Sequence, residues 1–326
     1  MKVVVAGSGS WGTALAHVAR QGGAEVTIHC RRAERADQLA RGFHDMLPQG
    51  ALGEGFRVSV AGDGPPPTAD LVICAVPTQQ IRQYMAGPGA ELPRDAIWVS
   101  ASKGLELETN LLPSQVLQDC GVTIEPAVLS GPSHAEEVVA NLPTAVVVAD
   151  VDLERGKMIQ QILRTPRFRI YRSDDRTGVE WAGALKNVVA LGCGIAIGQG
   201  FGDNTVAALV TRGTVEISRL GTSLGGRRET FAGLSGIGDL VVTCCSGHSR
   251  NRTVGCRVGA GETVAAVLDS MEQVAEGVMT SKAVKQLCST GQVEMPIADT
   301  VFRILHEDLP VAEGVEQLLM RQPEVE

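Results

Sequence analysis

A doubly wound, mostly parallel α/β sheet followed by a mainly α-helical domain is the fold class this sequence predicts. Three observations predict it. Short apolar runs alternate with helix-like or turn-like segments through the first half of the chain, as in a layered α/β unit. The first run leads directly into a glycine-rich turn and a helix-like stretch. From about Gly178 onward the strand-like runs disappear and helical periodicity takes over.

The strand candidates, in order, are Val3–Ala6, Val26–Cys30, Val58–Val60, Leu71–Val76, Ile97–Ser100, Val128–Ser130 and Ala145–Ala149. Several are continuous apolar runs, as expected of strands buried on both faces. Gly62-Asp63-Gly64-Pro65-Pro66-Pro67 is a loop, because its prolines donate no ladder hydrogen bonds. Ser173-Asp174-Asp175-Arg176-Thr177-Gly178 is a polar break, and the domains are placed at 1–177 and 178–326. Beyond the break, Val179–Gly198, Val206–Leu220, Thr263–Leu268, Ser281–Cys288 and Ile297–Leu305 read as helices.

Gly7-Ser8-Gly9-Ser10-Trp11-Gly12 is a G-x-G-x-x-G loop between a strand-like run and the helix-like Thr13–Ala19. Gly7 permits the tight turn, Gly9 lets backbone approach a pyrophosphate, and Gly12 allows close helix–strand packing. The phosphates would lie at the positive end of the helix. The first domain is therefore expected to be a Rossmann-type dinucleotide-binding unit. About 20 residues on, NAD-specific folds usually carry an acid for the ribose 2′-hydroxyl. Here the run reads Ile28-His29-Cys30-Arg31-Arg32, with no acid. A guanidinium pair suits a 2′-phosphate, so NADP is the expected preference and NAD an accepted alternative. A solvated arginine pair is the competing reading.

A net charge of −8 gives no overall footprint for nucleic acid. No uninterrupted run of about 18 apolar residues occurs, so no integral membrane segment is expected. The start of the chain lacks a basic region and cleavage site, so no signal peptide is expected. The eight cysteines are scattered, without zinc spacing. The expectations are reduced thiols, no metal and a cytoplasmic location.

Only six of the 29 basic residues are lysines. A lysine kept in an apolar or glycine-rich stretch therefore invites a chemical explanation, because its pKa can be shifted and arginine's in practice cannot. Lys103 follows the strand candidate Ile97–Ser100, where functional residues gather in open α/β sheets. Gly131 and Ser133 follow Val128–Ser130 in the same way and offer donors to an anion. In Glu180–Ala190, the residues Trp181, Ala184, Leu185 and Val188 share an apolar face. Lys186 lies off that face, in line with Gly183 and Ala190. It projects into a cleft or snorkels from a buried helix. Asp239, within Ser235–Thr243, could pair with such a lysine or cap a helix. Ser249-Arg250-Asn251 supplies phosphate ligands or is a solvated loop.

Together, Gly7–Ala16, Ser102–Glu106, Ser130–Ala135, Glu180–Ala190, Gly236–Thr243, Ser249–Asn251 and Val274–Gly277 resemble bacterial NAD(P)-dependent glycerol-3-phosphate dehydrogenases. The resemblance runs from the first strand through at least residue 280. It implies reduction of dihydroxyacetone phosphate to sn-glycerol 3-phosphate, which supplies glycerophospholipid synthesis. It implies that Ser10, Trp11, Arg31, Arg32, Lys103, Ala135, Arg250, Val274 and Glu276 contact the dinucleotide, alongside the loop glycines Gly7, Gly9 and Gly12. Lys103, Gly131, Ser133, Lys186, Asn187, Asp239, Ser249, Arg250 and Asn251 would contact the triose phosphate. Lys186 would donate or accept the proton, Lys103 would add positive potential, Asp239 would hold Lys186, and Thr243 would complete the catalytic set. His134 stands where the family commonly has Phe or Tyr. A homodimer is the expected assembly.

Two rivals share this layout. A 3-hydroxyacid or 6-phosphogluconate-type dehydrogenase would not explain Ser102–Glu106 and Ser249–Asn251. A non-catalytic NADP sensor would not need Lys103, Lys186 and Asp239.

Overall fold

The computed structural model describes residues 1–271, 274–291 and 293–320. The chain divides into two compact units. The first comprises 1–103 and 111–180, and the second comprises 104–110 and 181–326. The return of residues 104–110 to the second unit is not visible from a single break at 177.

The first unit is built on eight strands: β1 (Lys2–Ala6), β2 (Glu25–Cys30), β3 (Arg57–Val60), β4 (Leu71–Cys74), β5 (Ile97–Ser100), β6 (Ala127–Ser130), β7 (Thr144–Ala149) and β8 (Phe168–Ser173). They form one sheet in the order β3-β2-β1-β4-β5-β6-β7-β8. Strands β1 to β6 run parallel, β7 is antiparallel to β6, and β8 is parallel to β7. The order reverses between β1 and β4, where nucleotides bind in doubly wound folds. Helices α1 (Ser10–Gln21), α2 (Ala33–Ala40), α3 (Ile81–Ala86), α4 (Pro113–Asp119), α5 (Ala135–Val139) and α6 (Leu153–Leu163) connect the strands.

Successive strand residues point to opposite faces, and both faces are covered. Val3, Val5, Ile28, Ile73, Val99 and Val148 lie in the core that includes Leu15 of α1 and Ile159 of α6. Val4, Ala6, Val72 and Trp98 lie in a second core with Ile81 of α3 and Leu117 of α4. Double burial explains why these strands read as unbroken apolar runs. Strand β8 escapes that reading. Its Phe168 and Ile170 are buried while Arg169 and Tyr171 are exposed, so it alternates as an edge strand does. Helix α1 begins three residues before the expected Thr13, at Ser10.

The second unit is helical: α7 (Arg176–Gly198, which enters it at Trp181), α8 (Asp203–Ser223), α9 (Arg228–Phe231), α10 (Asp239–Cys245), α11 (Arg250–Gly259), α12 (Val264–Asp269), α13 (Glu276–Gly291), α14 (Pro296–His306) and α15 (Val311–Leu319). Helices α9, α10, α11 and α15 were not foreseen. Gly233 and a π-turn over Leu234–Gly238 interrupt the periodicity before α10, and α11 is mostly polar. Helix α7 is long and apolar enough to cross a membrane, despite the expectation from apolar runs. However, 83% of its apolar window is buried in the protein, as in a core helix. The buried Glu216 carboxylate of α8 accepts from the Ile297 and Ala298 amides at 2.8 and 3.2 Å, satisfying the first turn of α14.

His17 and His44 are buried and His306 is half-buried. Burial is the leading cause that holds each below the ordinary value of 6.5. As pH falls, the unfolded chain therefore takes up protons before the folded one. These groups stabilise the fold above the ordinary value, and that contribution is lost as pH falls through it toward the lower folded values. Calorimetry should show Tm falling between about pH 7.5 and about pH 5.5. His17→Gln should flatten part of that fall. An identical fall in the variant removes His17 from this account.

Candidate active site

In the first unit, the glycine loop sits between β1 and α1. Gly7 has φ +111°, a region open mainly to glycine. A Cβ on Gly12 would lie 2.1 Å from the Gly7 oxygen, so only glycine lets the turn close. A Cβ on Gly9 would meet nothing within 4 Å. Helix α1 has no side-chain cap and no acid in its first turn. Its first internal bond runs from the Thr13 amide to the Gly9 oxygen. The amides of Ser10, Trp11 and Gly12 therefore have no partner inside the helix. An uncapped helix end behind an open glycine cradle fits a dinucleotide's diphosphate.

The neighbouring loops brace this one. The Trp11 indole donates to the Ala101 oxygen at 3.1 Å, and the Ser102 hydroxyl donates to the Val76 oxygen at 2.6 Å. Arg31 and Arg32 are both exposed just beyond β2, with Arg32 at the N-cap position of α2. Behind them, buried His29 has Nδ1 2.5 Å from the Tyr84 hydroxyl and Nε2 2.9 Å from the Glu91 carboxylate. No pattern in the sequence signals that contact, because its partners lie 55 and 62 residues away.

The loops after β5 and β6 meet. Lys103 Nζ donates to the Gly131 oxygen at 3.1 Å, and the Ser133 hydroxyl donates to the same oxygen at 2.9 Å. Gly131 has φ +139°, and a Cβ there would lie 2.9 Å from the Val146 Cα. Ala135 is buried at the first position of α5.

Glu180, the last residue of this unit, is a further hub that the sequence reading passed over. It is fully buried and accepts from the Ser114 amide at 2.8 Å and the Ser114 hydroxyl at 2.5 Å. Burial pushes its carboxyl up despite these bonds.

In the second unit, Lys186 is 6% exposed. Its Nζ donates to Asp239 Oδ1 at 2.6 Å and to Thr243 Oγ1 at 2.7 Å. The snorkelling alternative therefore does not hold, since the ammonium ends on buried partners. Asp239 is the first residue of α10 and Thr243 lies one turn later, which puts them on one face. The Thr243 hydroxyl donates to the Asp239 backbone oxygen at 2.6 Å, so it meets Lys186 with a lone pair. Gly238, not Asp239, occupies the N-cap position. A buried ion pair adds little net stability, because desolvation offsets its attraction. Net stability alone therefore does not account for its presence.

Ser249, Arg250 and Asn251 open a helix rather than a solvated loop. Ser249 is the N-cap of α11 and accepts from the Arg252 amide at 3.2 Å. The exposed Arg250 donates to the Val274 oxygen at 3.2 Å. The buried Asn251 carboxamide oxygen accepts from the Gly277 amide at 3.0 Å. Glu276, half-buried, is the first residue of α13. Asn187 is buried beside Lys186 on α7, and a Cβ on Gly277 would lie 2.7 Å from its backbone oxygen.

All eight cysteines are free. The adjacent Cys193 thiol and burial drive Cys244 well above the ordinary thiol range. Cys244 is therefore a poor nucleophile. No cluster of metal ligands occurs among the described residues.

The matching family models and the relatives above 30% identity agree on one family. Residues 2–155 match the family described as NAD-dependent glycerol-3-phosphate dehydrogenase N-terminus, and residues 175–316 match its C-terminus. A glycerol-3-phosphate dehydrogenase (NAD(P)+) of Moorella thermoacetica is 45% identical over 322 residues, covering 98% of this chain and 96% of that protein. The protein of the same name from Prosthecochloris aestuarii is 41% identical over 331 residues, covering both chains in full. The crystal structure of glycerol-3-phosphate dehydrogenase from Coxiella burnetii superposes with a TM-score of 0.91 at 34% identity, covering 98% of this chain and 99% of that one.

Proposed function

Because the chain belongs to the NAD-dependent glycerol-3-phosphate dehydrogenase family, we propose that Lys186 is the proton donor and acceptor of its reaction. That reaction is the reversible reduction of dihydroxyacetone phosphate to sn-glycerol 3-phosphate with a reduced nicotinamide dinucleotide, NADH or NADPH. Its product is the backbone of glycerophospholipids, which gives the enzyme its place in lipid supply.

The observation that carries the proposal is the buried contact of Lys186 with Asp239 and Thr243. The bound cofactor supplies the hydride. Reduction of a ketone also requires a proton at the carbonyl oxygen. Lys186, as an ammonium, gives that proton to the oxygen as charge develops there, and in the reverse direction its amine takes the proton back. Asp239 favours the charged form of Lys186 and fixes its direction. Thr243 sets the rotamer with a lone pair that only a donor can meet. Asn187, Ser249, Arg250 and Asn251 bind the triose phosphate in this reading, with Arg250 supplying fixed charge. Lys103, Gly131 and Ser133 contact the substrate as well, and Lys103 also contacts the dinucleotide. Binding energy from the phosphate, remote from the reacting carbon, then aligns that carbon. Absorbance of reduced nicotinamide in Lys186→Ala and Lys186→Arg tests the assignment, and turnover near the parent's overturns it.

The glycine loop and the first turn of α1 hold the diphosphate in this proposal, with Ala135, Val274 and Glu276 as further dinucleotide contacts. Arg31 and Arg32 hold a 2′-phosphate, which makes NADP the preferred cofactor. Their exposure and the absence of an acid at the end of β2 support this. Arg31→Ala with Arg32→Ala is expected to raise KM for NADPH roughly 10- to 100-fold, the loss of charge-assisted bonds. KM for NADH should change little. A rise shared equally by both cofactors removes the arginines from this role. Eight free thiols suit a reducing cytoplasm, the compartment we propose. A homodimer is the proposed assembly, to be checked by sedimentation equilibrium.

A further inference from the structure

His44 lies in the segment that follows α2, far from every motif in the sequence, and is 2% exposed. Its two ring nitrogens have different partners. Nδ1 has the Met46 amide at 3.2 Å and the Asp45 carboxylate at 3.4 Å. The carboxylate oxygen is already engaged by Arg35 at 2.8 Å, so the closer amide donates to Nδ1, which then carries no proton. Nε2 lies 3.3 Å from the Ser8 backbone oxygen. That oxygen can only accept, so Nε2 carries the hydrogen and donates it. The tautomer follows from the two partners.

Ser8 belongs to the glycine loop. In a trans peptide the carbonyl and the following N–H point in opposite directions. A Ser8 oxygen held toward His44 therefore turns the Gly9 N–H away from His44. Gly9 is also the residue whose side is open, with nothing within 4 Å of a Cβ there. We propose that His44 is a positioning residue for the cofactor diphosphate, acting through the Ser8–Gly9 peptide. This inference rests on the dinucleotide reading of the loop.

The charges that face the imidazole are Arg35 of α2, Asp45 beside it and Glu136 of α5. Burial, and then Arg35, hold the imidazole below its ordinary value, against the smaller opposing pull of the Ser8 oxygen and the two acids. A neutral ring is what the Met46 contact requires. Arg35 is itself held by Asp45 at 2.8 Å.

Calorimetric titration separates this role from general support of the pocket. ADP-ribose contains the diphosphate, whereas 2′-AMP contains only the adenosine and its 2′-phosphate. His44→Leu is expected to weaken ADP-ribose about tenfold and to raise KM for NADPH by a similar factor, with kcat within about twofold. Affinity for 2′-AMP should stay within about twofold. His44→Gln, whose carboxamide can donate from the Nε2 position, should recover most of the loss. Unchanged binding of ADP-ribose by His44→Leu overturns the proposal, as does equal weakening of ADP-ribose and 2′-AMP.

Nitrogen-detected NMR of the unsubstituted protein gives a test that needs no variant. A neutral His44 with hydrogen on Nε2 supports the proposal, and hydrogen on Nδ1 overturns it. Failure of the parent protein to bind either ADP-ribose or NADPH is a different result. It removes the dinucleotide reading itself, and the role of His44 with it.

Discussion

Lys186→Ala is expected to leave a protein that binds NADPH as the parent does and turns over dihydroxyacetone phosphate about 10³-fold more slowly. General acid–base catalysis contributes roughly 10²- to 10⁴-fold, and here one group serves both directions. The alanine variant also leaves Asp239, 1% exposed, without its counter-ion. Breaking one side of a buried pair costs about 3–5 kcal/mol, so a lower Tm must accompany the loss of rate. Lys186→Arg separates the two effects. Arginine keeps a positive charge for Asp239 but does not release its proton near neutral pH. It should retain more of the stability than alanine does and still lose turnover on the order of 10²-fold or more. Absorbance of reduced nicotinamide gives the rates, and calorimetry gives the stability. An arginine variant with near-parent turnover means that Lys186 supplies charge and not a proton.

What made Lys186 legible was scarcity and context. Few lysines occur, and this one sits in an apolar helix between Gly183 and Ala190. Its partners were harder to read. Asp239 and Thr243 lie 53 and 57 residues away. Their shared face exists only because α10 begins directly after a π-turn, which glycine-rich text does not advertise. The sheet divides in the same way. Strands β1, β4 and β7 are buried on both faces and announce themselves as apolar runs. Strand β8 is buried on one face, and its arginines masked it. His44 was invisible for a further reason. Its function rests on backbone groups of Ser8 and Met46, and backbone contacts leave no side-chain signature in a sequence. Local period and composition are legible, whereas a pairing set by tertiary closure is not.

The surroundings of the glycines between 192 and 202 give a definite result to expect. Gly194 and Gly198 on α7 face Gly255 and Gly259 on α11. A Cβ on Gly194 would lie 2.2 Å from the Arg252 oxygen, and one on Gly198 would lie 2.2 Å from the Cys256 oxygen. From the other helix, a Cβ on Gly255 would lie 2.2 Å from the Leu191 oxygen, and one on Gly259 would lie 2.3 Å from the Ile195 oxygen. All four obstacles are backbone, so no side chain can swing aside. Gly255→Ala improves helix propensity by about 1 kcal/mol. It also forces two backbones apart inside a packed unit, and overpacking costs about 1–3 kcal/mol or more. With backbone on both sides the steric cost should win, for a net loss of about 2 kcal/mol or more. Tm should then fall by roughly 4–8 °C. Gly247→Ala is the control for stability. It has no neighbour within 4 Å, no positive φ and no cap position, so its effect should stay within about 0.5 kcal/mol. Helix α7 carries Lys186 and Asn187, and α11 carries Asn251, so Gly255→Ala should also lower turnover in the fraction that remains folded. A variant as stable and as active as the parent means the two helices separate at little cost, and the four glycines then need another explanation.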